Sequence, residues 1–264
     1  MHGDNRKLLV SLKDFKTHLV ATTGEHVKVA GLGIIDPQQL ANLADGAIFE
    51  FCGEGYVVLS EANLTDILAM AERRAQIITL KDIGPIVARL GIFPGAKVVE
   101  IGAGSGYMTL ALASFVGIEG RVMTHEIEPK SIELVGKNLE RVGLSGRVSF
   151  VEGDAAKSRG GADSDALVAD VPNPWDMLDF AESSLRPGGR AVFYTPSTNQ
   201  VERLVRQLRI RGWVQDVSIE TLERQMVVGD MGIRPSFDML GHTGYMTFAR
   251  WLGRAAAERL AKKP

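Results

Sequence analysis

Several acidic residues in this sequence follow short apolar runs, the places where buried strands end. Glu100 stands in Lys97-Val98-Val99-Glu100-Ile101, which runs directly into Gly102-Ala103-Gly104-Ser105-Gly106-Tyr107. Glycines in such a turn permit left-handed backbone and let a ligand approach the main chain closely. The spacing is Gly-x-Gly-x-Gly rather than the Gly-x-Gly-x-x-Gly of dinucleotide sites, so a pyrophosphate is not its natural guest. A glutamate just ahead of the first glycine suits a cationic or amino-bearing ligand. Glu126 closes Val122-Met123-Thr124-His125-Glu126, and an acid ending the second strand of a doubly wound sheet can accept both hydroxyls of a ribose. Its alternative is a plain surface acid, with Glu128 close by. Asp154 ends the third strand, adjacent to the glycine turn, in Val151-Glu152-Gly153-Asp154-Ala155. It can accept from the amino group of an adenine, with the Ala155 amide donating to the ring, or it can cap a helix. Asp170 ends the fourth strand in Val168-Ala169-Asp170, beside the point where open α/β sheets bind ligands. The proline-stiffened loop Val171-Pro172-Asn173-Pro174-Trp175 follows, and a turn without substrate contact is the other reading. Late in the chain a polar loop from Arg234 carries Gly241-His242-Thr243-Gly244-Tyr245, where a single histidine is more often structural than chemical.

These residues require strands and helices in alternation, and the sequence supplies them from Lys81 onward. A helix over 82–90 is stopped by Gly91 and Pro94. The strand 97–101 is followed by a helix over 106–116, the strand 121–126 by a helix over 129–142. Strands at 148–152, 166–170 and 190–195, an amphipathic helix over 200–211 and two late strands near 214–221 and 245–249 complete a doubly wound sheet, with crossovers of the length that βαβ units need. The first sixty residues read instead as short β segments at 7–12, 26–29, 47–51 and 56–59, punctuated by glycines, which predicts a small barrel-like β module. Asn63 is the expected N-cap of a helix over 64–73. The expected organisation is thus a β domain over 1–62, a linker helix and site entry over 63–80, and the α/β domain over 81–264. The tail 254–263 is basic and helix-prone, a solvated helix face.

Composition narrows the class of protein. At 45 % hydrophobic residues the 264-residue chain has material for a large core. A net charge of −2 excludes a globally basic nucleic-acid binder but leaves room for a local basic face. Cys52 is the only cysteine, which excludes an intrachain disulfide and a thiolate metal cluster. No apolar run reaches membrane-spanning length and the N-terminus lacks a signal-peptide core, so a cytoplasmic protein without metal or membrane is expected.

The glycine turn with its flanking strand, acid and helix resembles motif I of S-adenosylmethionine (SAM)-dependent methyltransferases. Asp170-Val171-Pro172 resembles the acidic-proline element of methyltransferases acting on nitrogens of bases, in which the carboxylate accepts a proton of the base's amino group while nitrogen attacks the sulfonium methyl. Together with Tyr194-Thr195-Pro196-Ser197-Thr198-Asn199-Gln200 and the Gly241–Tyr245 ending, the whole chain resembles the tRNA (adenine-N1)-methyltransferases of the TrmI type. These modify adenine 58 of the T-loop and, in archaea, sometimes adenine 57. The resemblance implies an α/β, Rossmann-like SAM-dependent methyltransferase fold with a seven-stranded doubly wound sheet and a small N-terminal β domain, assembled as a homotetramer. It implies Asp170 as catalytic acid, with cofactor contacts from Gln76, Glu100, Gly102, Gly104, Ser105, Gly106, Tyr107, Glu126, Asp154, Ala155 and Asp170. Substrate contacts fall to Thr79, Pro172, Trp175, Arg234, His242 and Thr243, and Trp175 or its loop is expected to line the pocket of an extruded base. Segment 76–82 matches the family's Gln-Ile-x-x-Pro-Lys-Asp, except that Thr79 replaces the usual Tyr or His and Leu80 the usual Pro. Arg73, Arg74 and Lys81, and Arg203, Arg206 and Arg209 on the amphipathic helix, are candidate tRNA phosphate contacts. The motif I string also resembles isoaspartate and corrin-ring methyltransferases, and a non-catalytic tRNA-binding subunit is the alternative outside enzymes.

Overall fold

The computed structural model describes residues 6–29, 31–74, 76–161, 163–229 and 232–260. The chain divides into two units, 1–72 with 137–144, and 73–136 with 145–264.

The N-terminal unit is built on strands β1 (Arg6–Ser11), β2 (Thr17–Ala21), β3 (Val27–Val29), β4 (Gly33–Ile35), the short helix α1 (Gln38–Ala41), β5 (Ile48–Phe51), β6 (Glu54–Leu59) and helix α2 (Leu64–Met70). Four strands form an antiparallel sheet in the order β2-β1-β6-β5, and β3 and β4 form a separate ribbon. The arrangement is therefore an open sheet with a ribbon in place of the expected barrel. Alternation along β1 and β6 sends Leu9 and Val58, register partners, into a core with Val20, Ile35, Leu40, Phe49 and Tyr56. Strands β2 and β4 fall outside the segments expected from sequence: β4 is three residues long, and Thr17-His18-Leu19-Val20-Ala21 shows no apolar–polar alternation. Asn63 caps α2 as expected, in a reciprocal box: its side chain accepts the Asp66 N–H at 3.0 Å while Asp66 accepts the Asn63 N–H at 3.0 Å. The helix stops at Met70, short of Arg73, because Ala71 is already extended. Replacing Asn63 by Ala removes one half of the box and should cost about 1 kcal/mol, measurable as a shift in urea midpoint at unchanged slope.

The larger unit contains α3 (Leu80–Leu90), β7 (Lys97–Ile101), α4 (Tyr107–Phe115), β8 (Arg121–Glu126), α5 (Pro129–Arg141, its end shared with the other unit), β9 (Val148–Glu152), β10 (Ser164–Asp170), α6 (Leu178–Ser184), β11 (Leu185–Thr195), α7 (Thr198–Ile210), β12 (Val214–Ile219), β13 (Met226–Gly229), β14 (Gly232–Pro235), β15 (Tyr245–Arg250) and α8 (Arg254–Leu260). Seven strands form one sheet in the order β12-β15-β11-β10-β7-β8-β9, in which only β15 runs antiparallel to its neighbours. Continuous burial of Ala166, Leu167, Val168 and Ala169 reflects a strand covered on both faces. Phe180, Phe193, Leu204, Leu208, Trp213 and Trp251 pack the core on one side. The chain moves outward through β7, β8 and β9 and then returns to β10 on the other side of β7. That reversal leaves a crevice at the carboxyl ends of β7 and β10.

Three details depart from the sequence reading. Strand β9 ends at Glu152 and lies at the sheet edge with β8 between it and β7, so Asp154 is not adjacent to the glycine turn through the sheet. Strands β13 and β14 pair antiparallel, with Met226 opposite Pro235, so the supposed loop at Arg234 begins inside a strand. Helix α8 matches the basic tail as far as Leu260; residues 261–264 lie outside the described residues. Among the described residues no helix is long and apolar enough to cross a membrane.

Candidate active site

Strand β7 buries Glu100, which is 1 % exposed, under the first turns of the crevice. Its Oε2 accepts the hydroxyls of Thr109 on α4 at 2.7 Å and Thr124 on β8 at 2.8 Å, whereas Oε1 is buried without a hydrogen-bond partner. Such an orphan acceptor is costly unless a ligand completes it. Burial pushes the Glu100 carboxyl up to about 7, against the pull of the two threonine hydroxyls. The folded chain therefore holds a proton here that the unfolded chain, with its ordinary carboxyl near 4.5, releases earlier. The stability this supplies is present below 4.5 and is lost as pH rises through about 7. A Glu100→Gln variant should lack that slope, which amounts to about 3 kcal/mol between pH 4.5 and 7 at ~1.4 kcal/mol per unit. Urea unfolding of both proteins across this range checks it.

The glycine turn beyond β7 is fixed by close approaches. Gly102 has φ +87°, donates its N–H to the His125 carbonyl at 2.9 Å, and leaves no room for a Cβ, which would stand 2.3 Å from the Asp170 carbonyl oxygen. A Cβ on Gly106 would meet the Val135 methyls at 2.8 Å, so glycine lets the start of α4 pack on α5. Gly104 faces open space instead. Glu126 binds the turn from β8: Oε2 accepts the Ala103 and Gly104 N–H groups at 2.8 and 3.2 Å, and Oε1 those of Ile127 and Glu128 at 2.8 and 2.9 Å. Asp154 accepts the Ala156 N–H at 3.0 Å, the capping role weighed from sequence, beside buried Ala155.

These pieces enclose two connected features. A cavity of roughly 690 Å³ is lined by Gly102, Gly104, Glu126, Ile127, Asp154, Ala155, Asp170, Val171 and Pro172, among others. A narrow cleft lined by Gln76, Ile77, Ile78, Glu100, the turn from Gly102 to Tyr107, and Asp170 shares Gly102, Gly104 and Asp170 with it. The Ser105 hydroxyl accepts the Arg74 N–H at 3.0 Å, which ties Arg74 to the glycine turn that lines this cleft. Asp170 borders both features. Its carboxylate has no hydrogen-bond donor among the described residues. It is open to the cavity yet recessed between its walls, and this desolvation pushes it up to about 6.

Other expected contacts lie elsewhere. Trp175 is not among the cavity-lining residues: it packs on the core, with the Arg203 guanidinium 3.9 Å above its ring, an arrangement that occupies both side chains. Arg206 pairs with Glu202 one turn back. Thr243 is buried and donates to Asp82 at 2.8 Å, so its hydroxyl faces inward rather than to a substrate. The Lys81 ammonium, expected near a phosphate, is engaged inside the fold by Asp82 at 2.8 Å, the Thr221 carbonyl at 2.8 Å and Thr243 at 2.6 Å. Thr79 lies just ahead of α3, its hydroxyl 3.3 Å from Asp82. His242 bridges Glu220 at 2.6 Å and the Pro196 carbonyl at 2.9 Å, and the bond to Glu220 raises its pKa. Arg234, in the exposed strand β14, lies over Phe237. Sequence reasoning missed Thr109 and Thr124, which hold Glu100, because a threonine in a buried helix or strand carries no signal of its partner.

The strand order, the glycine turn at the topological switch point and the acids Glu126 and Asp170 at the ends of β8 and β10 define a Rossmann-like methyltransferase. A SAM-dependent O-methyltransferase of Thermotoga maritima superposes with a TM-score of 0.76 at 30 % identity, covering 96 % of this chain and 95 % of its own. The tRNA (m1A58) methyltransferase TrmI of Aquifex aeolicus does so with a TM-score of 0.69 at 25 % identity, covering 93 % and 96 %. In sequence the chain is 33 % identical to the tRNA (adenine(57)-N(1)/adenine(58)-N(1))-methyltransferase TrmI of Methanocaldococcus jannaschii, over 83 % of this chain and 86 % of that protein. Residues 64–234 match the family described as tRNA methyltransferase complex GCD14 subunit. The chain belongs to this tRNA methyltransferase family.

Proposed function

We propose that this protein transfers a methyl group from SAM to N1 of an adenine in the tRNA T-loop, at position 58, with 57 the second candidate. The observation that carries this reading is the unpaired, desolvated carboxylate of Asp170 at the switch point, bordering both the cavity and the cleft. The residues present suit the cofactor. The orphan Oε1 of Glu100 is a fit for an ammonium group, the open space at Gly104 leaves room against the backbone, and Glu126 and Asp154 offer acceptors to a nucleoside along the cavity wall. Glu126 would serve the ribose hydroxyls in competition with the backbone N–H groups it already holds. Ile127, 70 % exposed at the cavity wall, offers an apolar surface to a flat ring.

When bound, the cofactor supplies an electrophilic methyl on a sulfonium. Asp170 accepts a hydrogen bond from the exocyclic amino group of the flipped adenine, which orients the base and offsets the positive charge that develops as N1 becomes methylated. Positioning contributes the rest. Arg73, Arg74 and Arg209 remain candidate phosphate contacts. Val228, Ile233 and Phe237, 74 %, 66 % and 84 % exposed on and beside the β13–β14 pair, offer the apolar surface on which copies of the chain would assemble into a homotetramer. A non-catalytic subunit has no need of the glycines and acids present here. Incubation with radiolabelled SAM and an unmodified tRNA transcript should label the RNA, and an isoaspartyl peptide or a corrinoid precursor should stay unlabelled. Label in the peptide or tetrapyrrole, with none in RNA, would overturn the reading.

A further inference from the structure

Asp82 has no place in the chemistry above, yet five side chains among the described residues hydrogen-bond to its carboxylate. It lies in the first turn of α3 with no solvent exposure. Its Oδ1 accepts Lys81 at 2.8 Å and the Thr221 hydroxyl; its Oδ2 accepts the hydroxyls of Thr243 at 2.8 Å, Tyr194 at 3.1 Å and Thr79 at 3.3 Å. Burial works to raise the carboxyl, but the bonds from Lys81, Thr221 and Thr243 hold it below the usual carboxylate range, so it is an ion. Lys81 completes the knot through the Thr221 carbonyl and the Thr243 hydroxyl. Four stretches distant in sequence thus meet on one carboxylate: 79–82, the end of β11, the segment after β12 and the segment before β15.

Each stretch bears on where an acceptor would lie. Tyr194 is the register partner of Asp170 across β10 and β11. Its ring covers Gly244, where a Cβ would come within 2.4 Å of it, so the ring and the Thr243–Gly244 backbone fit only one way. Thr79, Leu80 and Lys81 form one wall of a groove of roughly 590 Å³, apart from the cofactor cavity, and Glu223, Gln225, Asp238, Met239 and Leu240 form the rest. Those last residues belong to the segments that Thr221 and Thr243 anchor. Apolar packing at this point would be as stable but less directional, whereas a carboxylate with several donors fixes the angle of each segment.

We propose that Asp82 is a positioning residue for the acceptor: the Lys81–Asp82 knot sets the groove beside α3 and the Asp170–Tyr194 end of the sheet in one geometry, so that the tRNA strand delivers its adenine to Asp170. This rests on the tRNA reading above. Asp82→Asn, Thr221→Val, Thr243→Val and Tyr194→Phe should be compared with wild type for SAM Kd by calorimetry and for kcat and KM with a tRNA transcript. Asp82→Asn should keep SAM Kd within threefold while kcat/KM for tRNA falls at least thirtyfold, and the three hydroxyl deletions should each lose threefold or more with the same split. If SAM affinity falls in step with activity across the series, the knot is only a structural prop and the proposal fails. It fails equally if Asp82→Asn and the hydroxyl deletions all keep wild-type kcat/KM. A wild-type protein that binds SAM and leaves tRNA unmethylated would overturn the tRNA reading, and with it the acceptor that Asp82 is said to position.

Discussion

Replacing Asp170 by Ala should lower turnover on tRNA by roughly a hundred- to thousandfold, the usual scale for losing one directed interaction with developing charge. The affinity for SAM should stay within about threefold, since the loss falls on a bond made to the acceptor and strengthened during reaction. The fold should not suffer. The Asp170 carboxylate accepts no bond from the described residues, and desolvation raises it to about 6, so its ionised form is a burden to the folded chain at neutral pH. Its contribution to stability is present below its ordinary 3.8 and is lost as pH rises through about 6, so Asp170→Ala should be at least as stable as wild type at pH 8. The same pKa sets the activity profile. Wild-type kcat/KM for tRNA should fall about tenfold per unit below pH 6, as the carboxylate takes up the proton that removes its acceptor. Calorimetry, thermal melts and initial rates on the two proteins give all three quantities.

The second large effect is expected at Gly102. Alanine there would hold a left-handed φ of +87° and press its Cβ to 2.3 Å from the Asp170 carbonyl, a backbone atom that cannot swing aside. The strand end must move, and Asp170 with it. Strain and overpacking together should cost about 3 kcal/mol and lower Tm by roughly 10 °C, with SAM affinity reduced at least a hundredfold. Gly104→Ala is the informative contrast. Its Cβ meets nothing within 4 Å and its φ is +52°, a left-handed value that non-glycine residues do adopt. The melt should drop by only a few degrees, while the added methyl projects into the open space that would receive the cofactor and weakens SAM binding tenfold or more. Thermal melts with and without SAM separate the two variants.

The scaffold was legible because its signals are local. Val98 and Val99 ahead of Gly102, or Leu167 and Val168 ahead of Asp170, declare a buried strand and its end without reference to the rest of the chain. The helix cap at Asn63 is equally local, carried within four residues. What stayed hidden depends on partners distant in sequence. Lys81 reads as a free cation until Thr221 and Thr243 are seen to surround it. Trp175 reads as a pocket wall until Arg203, a turn into α7, is seen to cover it. The strand pair β13–β14 was missed for a different reason: Val227, Val228 and Ile233 are exposed on both faces, so no alternation marks them as strand. Even Glu126, correctly placed at a strand end, has its four acceptor positions engaged by backbone N–H groups that no motif discloses.

The central claim is that Asp170 directs one methyl group to one ring nitrogen. Its most direct test is mass spectrometry of nucleosides from a T-loop-bearing tRNA transcript, digested after incubation with the protein and SAM and mapped by position. The expected product is 1-methyladenosine at position 58, alone or with 57, in the wild type and at a hundredfold lower yield or less with Asp170→Ala. Methylation on the exocyclic nitrogen, on another base, or at undiminished yield in the variant would contradict it.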